Sequence, residues 1–316
     1  MKMKTINIGT RGSRLAVCQA EWVRSRLVAF HPQYKARLVK IKTTGDRITD
    51  VPLARVGGKG LFVKEIEAAL LEGRIDLAVH SMKDMPAHIP PGLCIGAVPE
   101  REDPSDVLIS RNGNSFEDLP RGAHLGSSSL RRGAQIRHVR PDITVQRLRG
   151  NLDTRMRKLE TEALDAIIVA AAGVKRLGLE ARITEYLSEA IILPAIGQGA
   201  LAIEMRQDDD STRRLIAHLD HRETRLAVES ERAFLGRLGG GCQVPIAASA
   251  KVTGDRLELT GLVAEVDGSV VLREAIAGPV DQNGKLGVEL ANRLLEKGGR
   301  EILENIPGMA VKDLST

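Results

Sequence analysis

Aromatic side chains are nearly missing from this sequence: four Phe, two Tyr and one Trp make up 2% of 316 residues. So few rings leave little for the bases of a nucleic acid strand to stack on, and no block of consecutive Lys and Arg compensates. Cysteine is scarce as well. Three residues, none in a CxxC or CxxH spacing, argue against a disulfide framework and against a zinc site, so no metal is expected. No apolar run approaches the length of a membrane span, and Met1-Lys2-Met3-Lys4-Thr5-Ile6-Asn7-Ile8 enters a strand-like pattern with no signal-peptide core. A cytoplasmic protein without a membrane partner is expected.

What the sequence does hold is arginine at strand ends. The formal charge is a modest +5, and the basic residues lie mostly among Gly, Ser and Asp, a pattern that favours a pocket for carboxylates or phosphates over a nucleic acid partner. The length suggests two or three domains. Thr5 to Thr10 predicts a strand running through Arg11-Gly12-Ser13-Arg14 into a helix whose apolar face is Ala16, Ala20, Val23, Leu27 and Phe30. Arg11 and Ser13 are then candidate anion ligands at a helix N-terminus, against the plainer reading of Ser13 as a cap. A strand at Ala36 to Thr44 precedes a glycine-rich stretch without periodicity, read as a mobile lid at 45–60 that carries Lys59, and Phe62 to Leu71 returns to helical spacing. Beyond the apolar strand Ile75 to Val79 comes His80-Ser81-Met82-Lys83-Asp84-Met85-Pro86, at the end of a strand where ligands of open α/β sheets collect. Lys83 and Asp84 are the key pair there, with an ordinary turn as the alternative. Cys18 and Cys94 fall in a helix and a strand as small packing residues.

After a charged crossing at 99–104 a new α/β pattern begins at Asp106. Leu125-Gly126-Ser127-Ser128-Ser129-Leu130-Arg131-Arg132 repeats the logic of the first turn, Ile143 to Leu148 runs into Arg149-Gly150-Asn151 and a helix with Arg155, and Asp165 to Ala170 leads to Arg176. Three strand ends each deliver arginine, whose planar fork meets a carboxylate with two parallel hydrogen bonds. A second crossing at 193–200 and a strand at Leu201 to Met205 return to the first lobe, and two crossings make a hinge. The remainder predicts a helix from Thr224 to Leu235, a loop at 239–246 presenting Cys242 after three glycines, strands at Ala247 to Val252, Arg256 to Val263 and Ser269 to Ile276, and a helix at Leu286 to Leu294. The expected fold is α/β, with two hinged periplasmic-binding-protein-like lobes of mixed sheets plus a small α+β third domain carrying the cysteine. Its domains are 1–99 with 200–218, 105–193, and 222–316.

Taken in order, these motifs resemble the porphobilinogen deaminase, or hydroxymethylbilane synthase, family of tetrapyrrole biosynthesis. The resemblance rests on Arg11-Gly12-Ser13 with Leu15, Ala16 and Gln19, on Val79 to Pro86, Gly126 to Arg132, Arg149-Gly150-Asn151 with Thr154-Arg155, Pro194 to Gly199, and Glu231 to Leu235 leading to Gly240-Gly241-Cys242. Ser127, where the family often has Thr, and Arg55, where a second lysine is common, depart from it. The resemblance implies a transferase that deaminates four molecules of porphobilinogen and joins them head to tail into hydroxymethylbilane, on a dipyrromethane cofactor attached to Cys242 by a thioether. It implies Asp84 as the catalytic carboxylate. Arg11, Ser13, Lys59, Phe62, Ser81, Lys83, Ser129, Arg131, Arg132, Arg149, Gly150, Arg155 and Arg176 would bind cofactor and substrate, the cations meeting acetate and propionate groups, with a core position as the alternative for Phe62. The expected partner is this small-molecule substrate, and the expected state a monomer. Two rival classes are a clamshell solute-binding protein, which gives no reason for the Cys242 loop, and a nucleic-acid module, which would set its arginines along one exposed strip.

Overall fold

Strand β1 (Lys4–Thr10) gives way to a serine cap: Ser13 is extended, and its Oγ accepts from the Ala16 N–H at 3.3 Å to start α1 (Arg14–Phe30). The structure, a computed structural model, describes residues 4–47, 63–239 and 244–306. Gln19, Ala20, Val23 and Leu27 form the buried stripe of α1. Phe30, expected on that stripe, is 64% exposed, because it is the last residue of the helix and stacks on the His218 ring with centroids 4.1 Å apart. β2 (Tyr34–Lys40) starts and stops earlier than the expected Ala36 to Thr44, since it pairs residue for residue with β1 and the two run out together. Next come α2 (Thr44–Arg47), α3 (Lys64–Leu71), β3 (Leu77–Ser81) and β4 (Leu93–Ala97). Most of the expected 45–60 lid lies outside the described residues.

The second α/β pattern comprises β5 (Asp106–Ser110), β6 (His124–Gly126), α4 (Leu130–Val139), β7 (Thr144–Gln146), α5 (Leu152–Thr161), β8 (Ala166–Ala170), α6 (Ala171–Arg176) and β9 (Glu185–Leu187). Its sheet runs β7-β6-β8-β5-β9, with β6 parallel to both neighbours and β5 antiparallel to β8 and β9. β10 (Leu201–Arg206), followed by α7 (Asp210–Ile216), completes the first sheet as β2-β1-β3-β10-β4, antiparallel to β3 and β4. Both sheets are mixed, as expected. The chain divides into two compact units, Met1–Glu102 with Ala200–Arg225, and Asp103–Gly199 with Leu226–Thr316.

α8 (Arg222–Arg237) precedes β11 (Ile246–Thr253), β12 (Arg256–Ala264), β13 (Val271–Pro279), α9 (Asn283–Leu294) and α10 (Arg300–Glu304). The three strands form a separate antiparallel sheet in chain order, turning at Gly254-Asp255 and Asp267-Gly268. Strand alternation puts Gly261 of β12 on the face that meets Phe234 of α8 and Leu290 of α9. Leu262 and Ala264 share the opposite face, where they pack with Ala134 of α4 and Leu193. This sheet is therefore covered on both sides within the second unit.

Helix α9 crosses α8 at a glycine. A Cβ on Gly287 would lie 2.3 Å from the Ser230 carbonyl oxygen and 2.9 Å from the Ala233 Cβ. Backbone atoms cannot yield as a side-chain tip does, so Gly287→Ala should destabilise the protein by about 1–3 kcal/mol. Urea denaturation checks this through a lowered midpoint, and an unchanged midpoint would mean the two helices separate there without cost.

Candidate functional site

In the first unit the polar candidates follow two adjacent parallel strands. β1 and β3 pair through Ile8 with Leu77 and Gly9 with Ala78, so their carboxyl ends lie side by side. Arg11 and Ser13 follow one; Ser81 closes the other, and Lys83 and Asp84 sit in the single 3-10 turn after it. The backbone of this turn is anchored: the Met82 N–H donates to the Ala200 carbonyl at 3.0 Å, and the Met82 and Met85 side chains are buried. Ser81 is held from α1 by Gln19, whose Nε2 donates to Ser81 Oγ at 3.0 Å. Arg11, Ser13, Lys83 and Asp84 remain half-buried, within reach of a ligand while their backbone is fixed.

The second unit repeats this arrangement at its own strand ends. Ser129 caps α4, its Oγ accepting from the Arg132 N–H at 3.4 Å, and Asn151 caps α5, its Oδ1 accepting from the Thr154 N–H at 2.9 Å. Two helix N-termini thus follow β6 and β7, each favouring an anion. Gly150, just before the second cap, has φ of +115°, which the absence of a Cβ permits. Its carbonyl accepts from Arg155 Nε at 2.9 Å. Arg149 and Arg155 are half-buried, and so is Arg176, which donates through Nη2 to the Gly199 carbonyl at 2.7 Å.

Arg131 and Arg132 have an internal partner. Both are buried against Asp106, the first residue of β5: Arg131 Nη1 lies 2.6 Å from Oδ2, and Arg132 reaches Oδ1 through Nε at 2.9 Å and Nη2 at 2.6 Å. Arg131 Nη1 also donates to the Leu193 carbonyl and Arg132 Nη1 to that of Ile168. This changes what the pair offers, from two open forks to a cluster with one net positive charge. Burial by itself would push the Asp106 carboxyl up, but the two guanidinium charges and their hydrogen bonds outweigh it and hold the carboxyl well below the usual range. Asp106→Asn leaves two buried cations without their counter-ion and should destabilise the protein by about 3–5 kcal/mol near neutral pH. Because the folded carboxyl titrates below its ordinary value, this stabilisation is full above that value and is lost only as pH falls through the depressed one. Denaturation of wild type and variant at several pH values checks both points, and equal stability near pH 7 would remove Asp106 from its role.

Lys59, Phe62 and Cys242 lie outside the described residues. The residues that sequence reading missed are Asp106, Glu204 and Glu67. A visible signal existed for two of them, since Asp106 directly precedes the apolar run at 107–109 and Glu204 interrupts the apolar run at 201–205. Among the described residues no group of three His, Cys, Asp or Glu is arranged to hold a metal ion, and no helix is long and apolar enough to cross a membrane.

Comparison with known proteins agrees with the sequence resemblance. The family model described as "Porphobilinogen deaminase, dipyromethane cofactor binding domain" matches residues 6–214, and that described as "Porphobilinogen deaminase, C-terminal domain" matches 225–296. The porphobilinogen deaminase of Syntrophotalea carbinolica is 56% identical over 303 residues, covering 96% of each chain. That of Geobacter sulfurreducens is 55% identical over 306 residues, covering 97% of this chain and 96% of its own. Among solved structures, the probable amino-acid ABC transporter extracellular-binding protein ytmK of Bacillus subtilis aligns with 69% of this chain and 90% of its own at 14% identity and a TM-score of 0.43, too distant to carry an argument. Two family models in series and relatives sharing over half their residues along nearly the whole length place this chain in the porphobilinogen deaminase family.

Proposed function

We propose that the chain removes ammonia from porphobilinogen and joins four such units head to tail into hydroxymethylbilane, with a dipyrromethane primer attached to Cys242 by a thioether. The observation that carries this reading is the shared end of β1 and β3, which gathers Arg11, Ser13, Ser81, Lys83 and Asp84. Porphobilinogen brings an acetate and a propionate on one pyrrole ring. A cationic strand end with a carboxylate among its donors suits a ligand of that charge and shape.

The donor chemistry also fits the primer, whose two rings each bring the same pair of carboxylates. Each unit taken by itself offers half-buried cations for such carboxylates, Arg11 and Lys83 in the first and Arg149, Arg155 and Arg176 in the second. Ser13, Ser129 and the N–H groups near Gly150 add neutral donors, and Asp106 with Arg131 and Arg132 adds one net charge. When bound, the dipyrromethane supplies the free pyrrole α-carbon from which the product is extended. Asp84 acts on the charge of the reaction: its carboxylate accepts from a pyrrole N–H and stabilises the positive charge that develops on the ring. The cations pin ring carboxylates and so fix the distance and angle of attack. Lys59 and Phe62 complete the proposed substrate contacts, and Cys242 serves as a permanent anchor.

Incubation with porphobilinogen tests the activity through release of ammonia and a product that closes to uroporphyrin, whereas stoichiometric binding without turnover would make the chain a binding protein. Cys242→Ser should fold and show the bare polypeptide mass, and a retained adduct would place the anchor elsewhere. In cofactor-loaded enzyme, Asp84→Asn should lower kcat by about 10²–10³-fold with KM changed less than about threefold. Near-normal turnover would remove Asp84 from the chemistry.

A further inference from the structure

The strand that ends at Ser81 has a second side. Leu77 and Val79 pack in the core with α1, and Ser81 meets Gln19, so these residues face α1. Ala78 packs with α3, and by alternation His80 turns the same way. On β10, Leu201, Ile203 and Met205 join the α1 side, while Glu204 turns with His80 towards α3. His80 Nε2 and Glu204 Oε2 lie 3.0 Å apart, with side chains 3% and 0% exposed. Glu67 of α3 is buried beside them, close enough for its charge and that of Glu204 to act on each other.

Two buried carboxylates and one imidazole are an expensive choice for a sheet–helix interface that Ile66, Ala69, Leu70 and Ala78 otherwise fill. Glu67 Oε1 and Glu204 Oε1 have no hydrogen-bond partner among the described residues. A protonated Glu67 adds no charge beside the His80–Glu204 pair. With Glu67 ionised, a further negative charge enters this buried interface, one residue along the chain from Ser81 at His80. The other charged groups on this side do not cancel it. Lys64 of α3 partly offsets the Glu67 charge, Glu65 of α3 accepts from Thr44, and Arg206 of β10 donates to the Leu70 and Ile75 carbonyls and to Asp209. β1 presents Gly9 and β4 presents Leu93.

We propose that Glu67, His80 and Glu204 form one buried protonation unit in which His80 is the positioning residue for the Ser81–Asp84 strand end, gripping from the α3 side what Gln19 grips from the α1 side. The proposal rests on the reading of Asp84 given above. Burial, then the Glu204 charge, pushes the Glu67 carboxyl up, with His80 and Lys64 opposing. A raised folded value means that the stabilisation is full below the ordinary glutamic acid range and fades as pH climbs through the raised value. Over that interval the unit acquires this further charge and the strand end loosens.

The test uses the cofactor-loaded enzyme and its Glu204→Gln and Glu67→Gln variants across pH. Steady-state turnover is measured together with amide hydrogen exchange of the peptide containing Met82 and Met85, corrected for intrinsic rates. Glu204→Gln should lower kcat about tenfold with KM within about threefold, and speed exchange of the Met82 amide about tenfold, while the protein stays folded. Wild type should show a fall in kcat and a rise in exchange as pH increases, and in Glu67→Gln, which cannot ionise, both should flatten. The proposal is overturned if Glu204→Gln loses activity only in proportion to its unfolded fraction, or if the Glu67→Gln profiles superimpose on wild type. Exchange that responds as described in a chain that never releases ammonia would support the positioning unit and overturn the functional reading instead.

Discussion

Asp106 is the constraint on which the second unit depends. A carboxylate with no exposure is costly to bury alone, and it persists because two guanidinium groups close around it. Gln198 Nε2 adds a donor to Asp106 Oδ1 at 3.1 Å and also reaches the Pro104 carbonyl at 2.7 Å. The start of β5, the first turn of α4 and the segment around Leu193 to Gln198 are therefore tied at one atom group. Glu231 makes a parallel tie nearby in the chain's logic: fully buried on α8, it accepts from the Gly197 N–H at 2.7 Å and the Ala250 N–H at 2.9 Å. A stretch that is neither helix nor strand is thus held in place by the side chains of its neighbours.

The local structure around the candidate residues could be read in advance because its signals are local. Ser13, Ser129 and Asn151 each follow a short apolar run and precede a helix, so the cap, the free N–H groups and the adjacent arginine all fall within a few residues. The mixed sheets and the three-stranded meander were likewise visible from glycine turns and alternation. What escaped is non-local. Asp106 meets Arg131 across 25 residues and His80 meets Glu204 across 124, and no window of sequence contains both members of the second pair. The limits of β2 are set by the length of its partner β1, and the fate of Phe30 by where α1 stops beside His218. These outcomes belong to register and packing, which single-chain periodicity does not encode.

The same buried acids separate two uses of charge in one fold. Asp106 is matched by more positive charge than it needs, so its cluster is stable over ordinary pH and leaves a residual positive field. Glu67 is buried beside another carboxylate, and burial and the Glu204 charge push its own carboxyl up. One interior is insensitive to its surroundings and the other is sensitive to them.

The capped serines carry a consequence for which ligands are accepted. Ser13 and Ser129 each turn the hydroxyl oxygen towards a helix N–H, and a hydroxyl engaged in that way offers its own hydrogen outward. Each position, within its own unit, therefore has a hydrogen left to donate. A carboxylate can accept such a hydrogen at either position, whereas an amide brings N–H groups that a donor cannot meet and an ester brings a bulky alkyl cap and weaker lone pairs. The chemistry of each of these helix starts thus favours a free acid over its masked derivative.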